Sequence, residues 1–321
     1  MHNLPLVSII IPIYNRANLI KETLDTIHKQ SYSNWECIIV DDGSTDKTFS
    51  ILSSYVTKDS RFKCYKRPLK ALKGGNAARN FGLEMSSGQL INWFDSDDLM
   101  EKSFIEDKVQ LLMNKDVDFV VSRCENFYKD GQVKPFFIGA NKTAKLNVDN
   151  FIQRKVFWVT GDLMVKRKQL GSITFDPVIR SGQEFNFFIK LLANNQLNGV
   201  FLNKIVYKRR VHEQSIQGSL NDKIKNKNIQ ICFLNTYRSV STRINIKSRE
   251  ILLNTVMATT FNNFLYSRKS MATKELLGYV LKEKGIFSTV IYSISLIMAY
   301  SIKKGYNLML FSRKKYKYNC L

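Results

Sequence analysis

Apolar segments of strand length alternate with helical repeats through the N-terminal part of the chain. Their length and β-branched content are typical of buried strands, which we predict at residues 7–13, 35–40, 62–65 and 90–94. Between the first two segments Ile20, Leu24 and Ile27 recur at helical spacing, and a Gly pair at 74–75 precedes a helical stretch that extends to Met85. Because strands that alternate with helices require crossover connections, the pattern predicts an α/β fold with a mostly parallel sheet flanked by helices.

The pattern continues with less regular elements to about residue 215. Apolar runs and helical repeats predict strands at 118–122, 163–166 and 200–207 and helices at 104–113 and 184–192. Asp130-Gly131, between alternating segments at 126–137, predicts a hairpin turn. No internal repeat is present, so we assign these elements to the same α/β domain.

Carboxylates follow two of the predicted strands directly. Asp41 and Asp42 end the second strand, and Asp95, Asp97 and Asp98 follow the fourth. Such a group can be a solvated turn or a helix cap, and capping stays open for Asp42. In α/β sheets, however, ligands bind outside the carboxyl ends of the strands. Two acidic groups at that edge favour an anionic ligand that binds with a cation, because clustered carboxylates otherwise repel one another.

The composition becomes polar and basic around residues 219–227, where we place a domain boundary. The prediction is an α/β domain over residues 1–220 and a basic, mainly helical region over 221–321. Apolar residues in the second region recur at helical spacing, at Phe233, Tyr237, Val240 and Ile244 and again at Leu253, Met257, Phe261 and Phe264.

The chain is strongly basic, with a formal net charge of +22. Residues 221–321 hold 18 Lys and Arg against 4 Asp and Glu, a balance of +14, which leaves +8 for the first 220 residues. An excess of Lys and Arg suits nucleic acid, an anionic membrane surface or anionic substrates. Charge alone does not distinguish these partners.

The most apolar part of the tail is residues 286–302, at the lower limit of length for a helix that spans a bilayer. Lysines flank it at 282, 284, 303 and 304. Ser288, Tyr292 and Ser295 fall on one helical face, opposite Val290, Ile294 and Ile297. We predict a helix at a membrane interface, assisted by the basic run at 313–317, and a helix packed on the tail's own core is the alternative.

Five cysteines, at 37, 64, 124, 232 and 320, are scattered without close pairs, which is typical of thiols in a reducing compartment. The N-terminus shows neither a basic leader nor a small-residue cleavage site. These features predict a cytoplasmic protein, peripheral on the inner face of the cell membrane if the tail binds lipid.

Four segments in series resemble the ordered motifs of family 2 glycosyltransferases, which are inverting nucleotide-sugar enzymes of the GT-A fold. The segments are Ser8–Arg16 (SIIIPIYNR), Val40–Asp46 (VDDGSTD), Gly75–Gly82 (GNAARNFG) and Phe94–Asp98 (FDSDD). Motifs in matching order and spacing are far more specific together than any one of them. The resemblance covers roughly residues 5–215 and implies a GT-A fold for that region.

The resemblance also implies a donor site. By similarity, Asp42 reaches the nucleotide base, whose ring packs near the backbone of Pro12 to Tyr14. Arg79 matches an arginine that contacts the nucleotide, and a salt bridge between Arg79 and Asp42 is a compatible alternative. The donor is expected to be a nucleotide-diphosphate sugar.

A metal site is implied at the acidic motif. By similarity, Asp98 ligates the metal directly, and Asp97 lies beside it at the ribose or the metal. His212, in a segment that resembles the family's closing Arg-x-His, completes the metal shell or contacts the diphosphate. Oxygen ligands and a diphosphate suit a divalent cation, Mg²⁺ or Mn²⁺.

The resemblance assigns the catalytic base to Glu184, which stands where an Asp is usual in the family. Glu184 would take the proton of the acceptor hydroxyl, and its alternative role is to stabilise the first turn of a helix. Trp158 and Asp162 match the region that shapes the acceptor pocket.

Taken together, these features predict a metal-dependent inverting glycosyltransferase that acts on a glycan or lipid-linked acceptor, in surface polysaccharide synthesis. One alternative is a nucleotidyltransferase, although no Gly-rich phosphate loop follows the first strand. The other is a basic nucleic-acid-binding protein, but the acidic strand edge would repel phosphates without a metal. We therefore expect no nucleic-acid partner.

Overall fold

The computed structural model of the chain describes residues 4–113, 117–136, 144–194, 196–212, 222–267 and 272–313. The chain divides into two compact units, residues 1–178 with 194–215 and residues 179–193 with 216–321. The second unit includes a segment that precedes residue 220, and the assignment of two domains with a boundary there stays a prediction.

The N-terminal elements follow the apolar pattern closely. They are β1 (Val7–Ile13), α1 (Ile20–His28), β2 (Trp35–Asp41), α2 (Thr48–Lys58), β3 (Phe62–Lys66), α3 (Gly75–Met85) and β4 (Leu90–Trp93). All residues of β2 and all but one of β1 are buried, as expected for strands covered on both faces. The four strands and the helix α3 predicted for this part of the chain are confirmed.

The remaining elements of the first unit are β5 (Leu99–Met100), α4 (Phe104–Leu112), β6 (Phe119–Tyr128), β7 (Val133–Pro135), α5 (Val148–Ile152), β8 (Leu163–Lys166) and, after α6 (Gln183–Asn194) of the second unit, β9 (Gly199–Val211). β6 and β7 form the predicted hairpin. β6 and β9 extend well beyond the apolar cores that marked them in the sequence, because their later residues are polar and half-buried.

The sheet is mixed rather than mostly parallel. Its order is β3-β2-β1-β4-β8-β6-β9-β5, with β7 paired to β6. The strands from β3 to β4 run parallel, as do β6 and β9, whereas β8 is antiparallel to both of its neighbours and β5 is antiparallel to β9. The alternation of helices and strands along the chain does not show which strands become neighbours in the sheet, so it could not predict that β8 lies between β4 and β6. The α/β class, with helices beside the sheet and a helical C-terminal region, is confirmed.

Helix α3 lies directly against the sheet at Gly82. A Cβ atom at Gly82 would be 2.5 Å from Cγ2 of Ile10 on β1, so only glycine fits at this contact. The same helix carries Arg79, which is buried with 7% of its surface exposed. The close approach at Gly82 therefore brings Arg79 to the carboxyl end of β1.

The described part of the second unit is helical. After α6 it comprises α7 (Asp222–Val240), α8 (Ile246–Ser267), α9 (Thr273–Ile302) and α10 (Tyr306–Ser312), and the predicted helical tail is confirmed. Gly285, with φ of 80°, interrupts α9, so residues 286–302 form a separate segment that we call the outer helix. Among the described residues, α9 alone has the length and composition of a helix able to cross a membrane.

Candidate active site

The loops that follow β1 and β2 are joined by hydrogen bonds. The Asn15 N–H donates to Ser44 Oγ at 2.9 Å, and the Thr45 N–H donates to Asn15 Oδ1 at 2.8 Å. Asn15 has φ of 49°, a left-handed conformation that Asn tolerates better than most residues. The Asp42 N–H donates to the Ile13 carbonyl at 2.8 Å, so the two strand ends form one continuous surface.

Asp42 is buried and pairs with Arg67, which follows β3. The Arg67 Nε–H donates to Asp42 Oδ1, and Nη1 donates to the carbonyls of Pro68, at 2.8 Å, and Ala71. Asp42 therefore neither caps the following helix nor pairs with Arg79, contrary to two alternatives left open by the sequence. Arg67 was missed because it lies outside the motifs, although its place after the third parallel strand was a usable signal.

Arg79 pairs instead with the first carboxylate of the acidic motif. Its Nη2 lies 2.8 Å from Asp95 Oδ1, and Nη1 lies 3.4 Å from Asn76 Oδ1. A Cβ at Gly75 would be 3.3 Å from Arg79 Nη1 and 4.0 Å from the Pro12 Cβ, which places these three residues together. Among the described residues, the buried Nε of Arg79 finds no hydrogen-bond acceptor. Arg79 thus links β1 to the loop after β4.

Tyr14 lies just after β1 and is 41% exposed. Lys73 Nζ stands 4.3 Å from the centroid of its ring. This exposed aromatic side chain and its neighbouring cation are available to a ligand at the strand edge.

Asp97 contacts side chains from two other parts of the chain. Its Oδ2 lies 2.9 Å from His212 Nε2 and 3.6 Å from Arg16 Nε. His212 follows β9, so the fold brings it to the acidic motif across 115 positions of sequence. The structure therefore brings together Asp97 and His212, which the resemblance had placed in one site.

Asp98 is the most buried carboxylate of the motif. Its Oδ1 accepts from the Arg210 N–H at 2.9 Å, and the Arg210 Nε donates to the Asp97 carbonyl. Burial raises the pKa of Asp98 well above the usual range, and the charges of Asp97 and Asp95 add to this effect. A nearby cation would favour the ionised form of this carboxyl.

Asp97, Asp98 and His212 are the residues that could hold a divalent cation. Two carboxylates and an imidazole suit Mn²⁺ or Mg²⁺ by donor chemistry. Within the described ranges, no group of three His, Cys, Asp or Glu residues is arranged so that it could hold a metal ion, so these three are candidates by residue type and not by geometry. The donor set fits a cation that also takes oxygen ligands from a diphosphate, which is the usual arrangement for Mg²⁺.

Trp158 and Asp162, which match the region that shapes the acceptor pocket, are both buried. Trp158 is 1% exposed, and its ring centroid lies 4.6 Å from that of Phe151. Asp162 is fully buried, and its Oδ2 accepts from the Val159 N–H at 3.0 Å. Both residues pack the interior of the first unit, because the apolar residues around them cover this segment.

Lys108 is a buried amine beside Asp162. Its Nζ donates to the carbonyls of Gly161 and Asp162 at 3.0 and 2.9 Å. Burial lowers the pKa of Lys108 to about 7, although the Asp162 charge acts in the opposite direction. The two groups stabilise the turn before β8.

Glu184 lies half-buried in the first turn of α6, which belongs to the second unit. α6 packs on α7 there. The Phe185 and Phe233 ring centroids are 4.9 Å apart, and the buried Asn186 Nδ2 donates to Thr236 Oγ1 at 3.0 Å. The tail helices thus hold the helix that carries Glu184.

Thr236→Val should lower the free energy of unfolding by about 1–3 kcal/mol, because a buried amide loses its acceptor. Urea unfolding would measure the loss. The matched control is Thr259→Val, which removes a hydroxyl that donates only to carbonyls of its own helix, at Thr255 and Val256. Equal losses in the two variants would contradict a specific role of the Asn186 contact.

Several known proteins resemble this chain in sequence. The pattern of the family described as "Glycosyl transferase family 2" matches residues 8–169. TuaG of Bacillus subtilis, named as a teichuronic acid biosynthesis glycosyltransferase, is 33% identical over 188 residues, which are 59% of this chain and 72% of TuaG. WfgD of Escherichia coli, named as a UDP-Glc:alpha-D-GlcNAc-diphosphoundecaprenol beta-1,3-glucosyltransferase, is 27% identical over 67% of this chain and 80% of its own. Two other glycosyltransferase relatives match over only 44% and 40% of their own length.

The fold also matches a solved structure. The crystal structure of Staphylococcus aureus TarS 1–349 with UDP-GlcNAc superposes with a TM-score of 0.63 at 18% identity, over 96% of this chain and 87% of that one. At this identity the likeness bears on the fold alone. Since the family pattern covers half of the chain and includes the acidic motif, the chain belongs to glycosyl transferase family 2 and is a glycosyltransferase of the GT-A fold.

Proposed function

We propose that this enzyme transfers a sugar from a nucleotide-diphosphate donor to a hydroxyl group of a glycan or lipid-linked acceptor, with inversion and with a divalent cation. The observation that carries the proposal is the contact of His212 with Asp97, next in sequence to the buried Asp98, at the carboxyl edge of the sheet. Asp42 follows β2, and Arg79, which belongs to α3, pairs with Asp95 after β4, so both side chains lie at the same edge.

The donor nucleotide is assigned to the surface between β1 and β3. Asp42 would accept a hydrogen bond from the base, while Arg67 holds the carboxylate in place. Pro12 and Tyr14 would border the base, and Arg79 would contact the nucleotide while it holds Asp95. Asp97 and Asp98, with His212, would hold Mg²⁺ or Mn²⁺ against the diphosphate. The cation would stabilise the negative charge that develops on the leaving group.

The transfer step is assigned to Glu184. Its carboxylate would take the proton of the acceptor hydroxyl as that oxygen bonds to the anomeric carbon. The bond from the anomeric carbon to the diphosphate breaks with its electron pair on the leaving nucleotide. Attack from the face opposite the diphosphate gives inversion.

Relatives support the substrate classes. The name of WfgD specifies a UDP-sugar donor and a lipid-diphosphate acceptor, and the name of TuaG specifies teichuronic acid biosynthesis. We therefore assign this chain to surface polysaccharide synthesis in the cytoplasm, on the inner face of the membrane where a lipid-linked acceptor would be reached.

Thermal stabilisation by nucleotide sugars tests the proposal. UDP-glucose, UDP-GlcNAc and GDP-mannose would each be added with Mg²⁺, with Mn²⁺ and with EDTA. A donor at about 100 times its Kd should stabilise the protein by about 2.7 kcal/mol and raise Tm by roughly 5 °C or more, but only with a metal. Stabilisation that persists in EDTA would contradict metal dependence, and no stabilisation by any nucleotide sugar would contradict the donor site.

A further inference from the structure

The outer helix turns its polar face to the protein. Tyr292 and Ser295 are fully buried, and Ala299 is buried beside them. The Tyr292 hydroxyl donates to the Met257 carbonyl of α8 at 2.7 Å, and Ser295 Oγ donates to the Tyr292 carbonyl at the same distance. Two of the three hydroxyl groups that helical spacing places on one face, those of Tyr292 and Ser295, are therefore inner contacts of this helix.

The apolar face of the outer helix points outward as a consequence. Ile286 is 74% exposed, Phe287 68%, Val290 52%, Ile294 45% and Ile297 63%. These positions recur at helical spacing and form a continuous stripe along the helix. A helix of a water-soluble core normally shows the reverse orientation.

Helix α10 adds to the stripe. Lys303 and Gly305 adopt left-handed conformations, and a Cβ at Gly305 would be 2.7 Å from the Ser295 carbonyl oxygen. This tight turn folds α10 back, so that the Phe311 ring lies 6.4 Å from that of Phe287 and is itself 45% exposed. We call this combined surface the docking face, formed by Ile286, Phe287, Val290, Ile294, Ile297 and Phe311.

The segment that forms the docking face, and the residues that follow it in the sequence, carry charge of one sign. From residue 284 to the end, the sequence contains no Asp or Glu but holds Lys284, Lys303, Lys304, Arg313, Lys314, Lys315 and Lys317. Lys282, Lys303 and Lys304 are exposed in the structure, while Lys314 to Lys317 lie outside the described residues. The preceding acid, Glu283, pairs with Arg249 at 3.0 Å.

We propose that the docking face binds the surface of an anionic lipid bilayer, with the outer helix in the plane of the interface. Exposed aliphatic and aromatic side chains enter the boundary between headgroups and acyl chains, and the lysines contact anionic headgroups. This inference does not rest on the proposed sugar transfer, because it concerns only the tail helices.

An in-plane position follows from the contacts of the outer helix. A helix of this length extends about 26 Å, less than the roughly 30 Å hydrocarbon core of a bilayer. One side of it is also hydrogen-bonded to α8 through Tyr292, so lipid cannot surround it. A second copy of the chain is disfavoured as the occupant, because a symmetric contact would bring two sets of lysines together.

Vesicle co-sedimentation of the full chain tests the proposal. The vesicles contain phosphatidylcholine alone or phosphatidylcholine and phosphatidylglycerol in equal parts. The double variant Val290→Glu with Ile297→Glu should weaken binding to the anionic vesicles by at least about 100-fold, because charged side chains resist entry into the interface. Ile246→Glu, at a 69% exposed apolar residue of α8, is the matched control and should bind like the wild type.

A second variant tests the charge. Lys303→Gln with Lys304→Gln should weaken binding to anionic vesicles about 30-fold at low salt and leave any binding to neutral vesicles unchanged. If circular dichroism shows that the glutamate variant does not fold, this lysine variant still tests the proposal.

Other outcomes would overturn the proposal. Failure of the wild type to bind anionic vesicles would do so, as would equal binding by the wild type and both folded double variants. Sedimentation velocity would identify a second copy as the occupant if the wild type were a dimer that Val290→Glu with Ile297→Glu dissociates, without vesicle binding.

Discussion

Asp98→Asn should lower kcat by at least about 1,000-fold, equivalent to roughly 4 kcal/mol of transition-state stabilisation. The change keeps the shape of the side chain and its acceptor oxygen for the Arg210 N–H, so the local backbone contact survives. It removes the negative charge that is assigned to hold a cation against the departing diphosphate. The loss should therefore fall on the step in which negative charge develops.

Two measurements separate this effect from damage to the fold. Sugar transfer with saturating donor gives kcat, and calorimetric titration with Mn²⁺ and UDP gives the metal-dependent affinity, which should fall together with kcat. Asp118→Asn is the matched control, because Asp118 also accepts hydrogen bonds, from Gln169 and the Asn198 N–H, but lies outside the acidic motif. If Asp98→Asn kept kcat within about threefold of the wild type, Asp98 could not be the metal ligand.

Glu184→Gln should lower transfer by about 100- to 10,000-fold while the Kd for UDP stays within about twofold of the wild type. The amide has nearly the same shape as the carboxylate but cannot take a proton from the acceptor hydroxyl. Because Glu184 is assigned to the acceptor side of the reaction, donor binding should not depend on it. This split between binding and transfer is expected for a base and not for a residue that stabilises the fold.

Single-turnover transfer and UDP titration would measure the two quantities in the same preparation. Glu250→Gln, at a half-buried acid elsewhere in the second unit, provides the control and should leave both unchanged. Glu184→Asp restores the residue that is usual at this position in the family and should keep most of the activity. Normal transfer by Glu184→Gln would remove Glu184 from the mechanism.

The local elements of the fold were predictable because burial on both faces leaves a signal within each segment. β1 was predicted at residues 7–13 and occupies Val7–Ile13, and β8 was predicted at 163–166 and occupies Leu163–Lys166. The strand predicted at 118–122 is shorter than β6, because residues 123–128 include several polar side chains and form no continuous apolar run. They pair with β9 and β7, mostly at half-buried positions. The mixed sheet was missed because strand partners are chosen by contacts between distant segments.

In the candidate site, too, the features within one segment were predictable and the contacts between distant segments were not. The motifs placed Asp42, Arg79, Asp97 and Asp98 at the edge of the sheet, because each lies directly at a strand end or in the first turns of a helix that a glycine pair opens. Their partners were not evident, since a salt bridge depends on side chains from separate loops. Arg67, the partner of Asp42, lies outside the motifs and was therefore not predicted as a site residue.

The sequence alone determined the class of the fold, the family and the acidic edge, because periodicity and motif spacing are properties of neighbouring residues. Only the tertiary structure decided which groups meet there, as in the contact of His212 with Asp97. It also decided which face of the outer helix is exposed. Helical spacing separates Tyr292 and Ser295 from Val290 and Ile297, but the hydrogen bond of Tyr292 to the Met257 carbonyl, from another helix, turns the apolar side outward.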